Sequence, residues 1–427
     1  MLNLQVLLSL VSILLTLCQS NNEYYYKNWC GTGLQYLDDS KCVKVFPNNS
    51  SRDMPCNTKI LDGSNSNDND KIVSLLRNGY NYDIQKLSDV NVDVNTLSSI
   101  VTNDANVCVI LTKRIKNYNN NDNKIELLNK YYCAGNHSRD DAWETWSSSK
   151  IFAMANGAGR LRSNETTCTN DMFGMTSNTT GKNGVTPLGD LATIICSYDH
   201  TKGYSSNSLA SYYHDLGFRQ RLNDLINSEW IGTSGGQTLG GNYGEASPSD
   251  LALKLNYFDS FCNADKDPWP NVYSNTISSL TAAELTRRIA LHKEIKSSLR
   301  FPGLLEADAI NILNGEENSI YFPNQVNGGM SADTSIFVQS SLKNVDSINS
   351  KEEWRIFSKL GDGWSSSRER GEIVNNAYVC LPQIDQGIEF TINVRGSVIN
   401  DYDTSQAEKK VLEAMKQTIG AILNGEL

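Results

Sequence analysis

The stretch Trp146–Ala158 reads WSSSKIFAMANGA. Three hydroxyls and a lysine stand at the head of an apolar run with helical spacing, so a helix is expected to open there. Positions i and i+3 share a helical face, which brings Ser147 and Lys150 within side-chain reach of each other. Upstream, Val107–Ile115 (VCVILTKRI) and Ile125–Cys133 (IELLNKYYC) are strand candidates. The polar segment NYNNNDN between them predicts a β-hairpin. Downstream, Thr186 and Pro187 suit an N-cap and a first helical position. Ser247-Pro248 marks a similar helix start. Further strands are expected at Val374–Leu381 and Ile388–Val394. An amphipathic helix at Ala407–Leu423 would carry Val411, Leu412, Met415, Ile419 and Ile422 on one side. A hairpin, a helical middle, more strands and a closing helix predict an α+β fold, with the terminal helix packed on the sheet.

The chain has 427 residues, a net charge of −10 and four histidines. Its composition is globular and excludes collagen, coiled coil and wholesale disorder. The acidic balance argues against nucleic acid as a partner. His137, His200, His214 and His292 form no H-x-x-x-H pair, and no C-x-x-C occurs, so neither a metal site nor a cofactor is expected. Met1–Ser20 reads as a secretory signal peptide with an apolar stretch from Val6 to Leu17. No later segment approaches a membrane span, so stable membrane insertion is not expected. The scattered cysteines then predict disulfides, with an odd thiol among those left after Cys18 is removed. Sequons at Asn48, Asn49, Asn136, Asn164 and Asn178 fit a glycosylated protein. Together these predict a secreted protein or one in the lumen of the secretory or endolysosomal pathway. Residues 21–70 read as a small cysteine-containing module followed by a polar linker at Gly63–Asp70. The main domain is expected to fill 71–427, with helices beginning near Lys71 and at Val94–Val101. The sequence does not define the oligomeric state.

Three short motifs follow in order. Ser147-Ser148-Ser149-Lys150 fits S-x-x-K. Ser205-Ser206-Asn207 fits S-x-N at the start of a predicted helix that breaks at Gly217. Lys359-Leu360-Gly361 fits K-x-G and precedes a predicted strand, turn and returning strand. Each motif is weak alone, and Ser147, Ser205, Asn207 and Lys359 also suit ordinary caps and turns. In this order, with GVTPLGDLA between the first two and EASPSDLA after the second, they resemble the serine penicillin-recognising enzymes, the class A β-lactamases and D,D-peptidases. The resemblance runs from about Val107 to the C-terminus. It implies an insertion near 260–345 and a β-lactamase/transpeptidase-like fold, an antiparallel sheet with the terminal helix packed on it plus an all-helical subdomain.

The resemblance implies roles residue by residue. Ser147 would be the nucleophile and Lys150 its base, made less basic by burial and by Lys359. Ser205 would relay a proton to the leaving nitrogen. Asn207, Lys359, Gly361 and Asp362 would bind the substrate, with the N–H groups of Ser147 and Asp362 as oxyanion donors. The substrate would be a small molecule or peptide of β-lactam or cell-wall peptide type. Two departures stand out. Leu360 occupies the place of a carboxylate-binding hydroxyl, for which Arg368 or Arg370 is a candidate replacement. The Ω-loop, WIGTSGGQTLGGNY from Trp230 to Tyr243, lacks the carboxylate that activates the deacylating water; Glu229 reads as a surface residue. The leading expectation is a secreted serine hydrolase or acyltransferase. The alternative is a weak or inactive binding protein on the same fold. A lone cysteine nucleophile has no histidine paired with it in the sequence.

Overall fold

The computed structural model describes residues 56–116, 125–135, 138–163, 175–176, 185–197, 206–232, 236–243, 274–317, 319, 328–332, 336–342, 353–384 and 387–427. Five long strands form its frame. β1 (Asn106–Lys116) and β2 (Ile125–Ala134) are the expected hairpin pair, with their turn outside the described residues. β3 (Arg355–Ser365), β4 (Arg370–Leu381) and β5 (Ile388–Ile399) follow near the C-terminus. The order across the sheet is β3-β4-β5-β1-β2, and each neighbouring pair is antiparallel. β3 is an edge strand among the described residues. The strands are almost continuously buried because both faces of the sheet are covered, which explains the unbroken apolar run VCVIL in β1.

The terminal helix, Ser405–Leu423, covers one face and buries Val411, Met415 and Ile419. Gly396 of β5 permits its close approach: a Cβ there would meet the Ala407 carbonyl oxygen at 2.9 Å. Register carries this face across the sheet, since Gly396 pairs with Ile373 and Ile373 with Asp362. The other face holds one row of paired residues: Lys359, Asn376, Asn393, Cys108 and Cys133. Cys108 and Cys133 close that row with a cross-strand disulfide. The helices Lys150–Arg162, Leu188–Ser197, Ser206–Gly217, Ser279–Ala290 and Glu306–Asn314 pack among themselves and on this face. The fold is α+β, as the order of elements predicts.

One organisational expectation changes, and the range of the expected insertion carries core elements. Residues 66–70, read by composition as linker, open the helix Ser66–Arg77, because Asn65 Oδ1 accepts the N–H groups of Asn67 and Asp68 as an N-cap. Just before it, Ile60–Asp62 pairs with the end of β1, and Cys56 is disulfide-bonded to Cys380 at the end of β4. The range 260–345, expected to be an insertion, contains core. Helix Ser279–Ala290 is buried nearly throughout and lies against β1, β4 and β5. Its charged residues hide this in the sequence. Glu284 accepts hydrogen bonds from Arg287 Nε (2.8 Å) and Arg288 Nε (2.7 Å), while Arg287 Nη1 reaches Asp83 (2.9 Å). Pairing removes most of the cost of burying these charges. The expected signal segment, the sequons, the helix start at Ser247-Pro248 and the remaining cysteines other than Cys196 lie outside the described residues. Cys196 is buried. No described helix is long and apolar enough to cross a membrane.

The terminal helix gives the first prediction. Met415 is fully buried against the sheet layer and Glu413 is exposed. Met415→Ala should cost about 2–5 kcal/mol of unfolding free energy, and Glu413→Ala should stay within about 0.5 kcal/mol. Denaturant titration measures both, and equal midpoints would contradict the packing.

Candidate active site

Trp146–Ser149 forms a 3-10 turn that runs into the α-helix Lys150–Arg162. Trp146 has a φ of 48°, a left-handed conformation costly for a bulky residue. This strain turns the chain sharply just before Ser147. The next two hydroxyls are committed to the turn itself: Ser148 Oγ donates to the Thr145 carbonyl (2.6 Å) and Ser149 Oγ to the Trp146 carbonyl (3.1 Å). Both serines are buried, whereas Ser147 is partly exposed.

The turn rests on β3. A Cβ on Gly361 would lie 2.5 Å from the Thr145 carbonyl oxygen, 2.6 Å from the Ser148 nitrogen and 2.9 Å from the Ser147 nitrogen. One on Gly363 would collide with the Trp146 ring, at 2.4 Å. Bare backbone at both positions lets the turn sit directly against the strand. Two side chains of β4 pin it there: Asn376 Nδ2 donates to the Ser148 carbonyl (3.1 Å), and Trp146 Nε1 donates to Glu372 (2.9 Å). The K-x-G motif therefore lies in the middle of a strand, not before one. The expected strand, turn and returning strand are nevertheless present as β3 and β4.

Lys150 is wholly buried at the start of its helix. Its Nζ donates to Ser206 Oγ (2.9 Å) and Asn207 Oδ1 (2.6 Å). These acceptors open the helix Ser206–Gly217 predicted from S-x-N. Ser205 lies outside the described residues, and Ser206 is the motif hydroxyl seen on Lys150. Lys359 is also buried, donating to its neighbour's carbonyl at Leu360 (2.8 Å). Burial, followed by the Lys359 charge, pushes the Lys150 ammonium well below the usual lysine range. Ser147, Lys150, Asn207, Lys359 and Gly361 are thus gathered from three distant parts of the chain. Asp362 follows Gly361 on β3, but its side chain lies on the face of the terminal helix. Leu360 shares that face through its pairing with Asn375, and it is buried. Arg368 and Arg370 do not stand beside Leu360. Both are bound to Glu372, which pairs with Gly363 three positions along β3.

Four further residues shape the site. The Tyr243 ring lies 5.2 Å from Lys150 Nζ, measured to its centroid. Its hydroxyl bridges Ser149 Oγ (3.3 Å) and His214 Nε2 (3.0 Å). Burial and then Arg219 lower the His214 pKa to about 3, so this imidazole is neutral at ordinary pH. Asn275 ties the Tyr243 loop to the nucleophile turn. Its side chain holds the Gly241 nitrogen (2.9 Å) and Asn242 carbonyl (2.7 Å), while its own carbonyl accepts from the Thr145 nitrogen (2.7 Å). Glu144 accepts from the Asn275 nitrogen (3.2 Å), and burial raises its carboxyl pKa. Glu229 is exposed, as expected, and Glu245 lies outside the described residues. Sequence motifs mark none of these four, because each acts through a contact far along the chain. Among the described residues, no cluster of His, Cys, Asp and Glu could hold a metal ion.

No family model and no curated protein matches the sequence. Solved structures do. A class A β-lactamase from Mycobacterium abscessus is similar over 76% of this chain and 97% of its own, at 14% identity and a TM-score of 0.38. A structure described as PBP-A matches over 78% and 98%, at 11% identity and a TM-score of 0.42. The C-terminal domain of the Bacillus licheniformis BlaR penicillin-receptor matches over 79% and 98%, at 12% identity and a TM-score of 0.35.

The glycine contacts give the second prediction. Gly361→Ala forces a methyl into backbone atoms that no rotamer change relieves, and overpacking of this kind costs about 1–3 kcal/mol. Gly420→Ala, on the terminal helix with nothing within 4 Å, should be neutral or stabilising by up to about 1 kcal/mol. Thermal unfolding compares the two variants, and a tolerated Gly361→Ala would mean that the turn does not rest on β3.

Proposed function

We propose that this chain is a serine acyl-transfer protein of the penicillin-recognising type, acting on an amide or peptide bond through an ester on Ser147. The burial of Lys150 carries this reading. A lysine kept dry, donating to Ser206 and Asn207 and exposed to the charge of Lys359, is a base rather than a surface cation. It stands one helical turn after a partly exposed serine. When neutral it donates two N–H bonds and keeps its lone pair for a proton.

In the proposed reaction, Ser147 Oγ attacks the carbonyl carbon as its proton passes to Lys150. The N–H groups of Ser147 and Asp362 take the oxyanion. Lys150 gives its extra proton to Ser205 as Ser205 passes its own to the leaving nitrogen, the C–N bond breaks, and the acyl group remains on Ser147. Asn207 holds the substrate amide. Lys359 attracts a carboxylate on the leaving side, and Gly361 leaves room for substrate backbone along the strand. A β-lactam or a D,D-peptide of cell-wall type fits this arrangement. The expected signal segment and the two disulfides among the described residues support a secreted or luminal protein. A weakly active or inactive binding protein is the second reading, favoured by Leu360, whose buried apolar side chain offers a carboxylate nothing.

The mechanism predicts the pH dependence of acylation. Ser147→Ala should abolish labelling by a fluorescent penicillin, while Ser149→Ala should retain the labelled site by peptide mapping. Lys150 must be neutral to accept a proton, so acylation should rise with pH through its depressed pKa. Lys359→Ala removes a like charge, raises the Lys150 pKa and moves that rising limb to higher pH. An unmoved limb would separate the two lysines functionally.

Turnover follows from the loop after Trp230. No acidic residue occurs from Ile231 to Tyr243, and the Tyr243 ring occupies the space beside Lys150. Loss of general-base help to the deacylating water costs about 10²–10⁴ in rate. The penicillin adduct should therefore persist for many minutes in intact-mass spectra. Rapid turnover that disappears in Glu229→Gln would contradict this, and no adduct at all would favour the binding-protein reading.

A further inference from the structure

Glu372 lies directly across from Gly363, beside Trp146. Its carboxylate accepts from Trp146 Nε1 (2.9 Å), Arg368 Nε (3.2 Å) and Nη2 (2.8 Å), Arg370 Nε (2.6 Å) and Arg395 Nη2 (3.0 Å). A carboxylate offers about four lone-pair sites, so Glu372 is saturated. Burial alone would raise its pKa, but the hydrogen bonds from Arg368 and the charges of Arg395 and Arg368 hold it below the usual range.

Donors remain in surplus around it. Arg370 Nη2, Arg395 Nε and Trp143 Nε1 are buried and have no acceptor. The Arg395 guanidinium lies 3.6 Å from the Trp143 ring centroid and that of Arg370 lies 4.8 Å from it. Arg395 is nine-tenths buried and more, while the Arg370 and Arg368 side chains are 18% and 34% exposed. Three guanidinium groups surround Glu372, and Glu144 is near enough to interact with Arg368, so cations outnumber carboxylates three to two. The unmatched atoms of Arg370, Arg395 and Trp143 are all donors.

Position on β3 identifies which part of a substrate this cluster would meet. A Cβ on Gly361 would lie 2.9 Å from the Ser147 nitrogen, so this residue marks the nucleophile on β3. Lys359 lies two residues back from it, and Gly363, with Glu372 opposite, lies two residues forward. At about 3.3 Å per residue each lies about 7 Å from Gly361 along the strand, in opposite directions. If Lys359 serves the leaving side of the scissile bond, the arginines stand on the acyl side.

We propose that Arg368, Arg370 and Arg395 form an anion subsite for a carboxylate on the acyl portion of the substrate, so that the natural substrate is an acidic peptide or amide. The proposal rests on the serine acylation reading above. Carbenicillin and benzylpenicillin test it, because they differ by one side-chain carboxylate on the acyl side. Carbenicillin should acylate the full chain about tenfold faster or more, since hydrogen bonds to charged groups are worth that much in rate. The preference should shrink with added salt. The double variant Arg368→Gln/Arg370→Gln should lose the ratio between the two rates, whatever its absolute rates, and its circular dichroism and thermal unfolding report that it is folded. Equal rates in the wild type, or a preference that survives in the variant, would overturn the subsite. If neither penicillin acylates, the serine reading falls and direct titration decides the subsite. Indole fluorescence should then saturate with N-acetyl-glutamate, not with N-acetyl-glutamine, and not in the double variant. No saturation with N-acetyl-glutamate would overturn the subsite in that case as well.

Discussion

Burying Lys150 within the field of a second buried cation, Lys359, is the most demanding feature of this molecule, and much of the site answers to it. Taking an ammonium ion out of water costs several kcal/mol even after relaxation. A neighbouring like charge adds to that cost. Both effects weaken the hold of Lys150 on its proton, while Ser206 and Asn207 accept hydrogen bonds from its nitrogen. Tyr243 covers the same nitrogen with its ring, and its hydroxyl is fixed by Ser149 and a neutral His214.

The sheet supplies the precision that such a site requires. One register row aligns Lys359, Asn376, Asn393 and Cys108 on the face of the helical layer. Asn376 anchors the nucleophile turn through the Ser148 carbonyl, and Asn393 Nδ2 in turn donates to Asn376. A disulfide closes the row at Cys108–Cys133. The turn is thus held by groups on rigid strands. The strained φ of Trp146 is maintained by the same scaffold, since the ring lies over Gly363 and its N–H is bound by Glu372. A one-residue slip of β3 would replace both glycines with Leu360, Asp362 and Trp364 under the turn.

That alternation also explains the substitution at Leu360. Its side chain belongs to the terminal-helix side, where apolar character is useful to packing. Farther along the strand, arginines gather around Glu372. Lys359 and Gly363, the partner of Glu372, are separated by about 13 Å at 3.3 Å per residue.

Local pattern was enough to define most elements. The hairpin, the helix after Lys150, the helix starting at S-x-N and the amphipathic terminal helix were all legible because each depends on neighbours within a turn or two of chain. Ser147, Lys150, Asn207, Lys359 and Gly361 were legible as types in an order, but not as a cluster. Helix Ser279–Ala290 was hidden because its charges are cancelled only by folding, through Glu284, Arg287 and Asp83. The N-cap at Asn65 lay inside a segment whose composition resembles a linker. Tyr243, His214 and Asn275 had no local signature at all. Their roles depend on which atoms meet across the folded chain, and so does the depressed pKa of Lys150. Hydrophobic period and chain order determine where helices and strands begin; burial and the distance between charges exist only once those elements have packed.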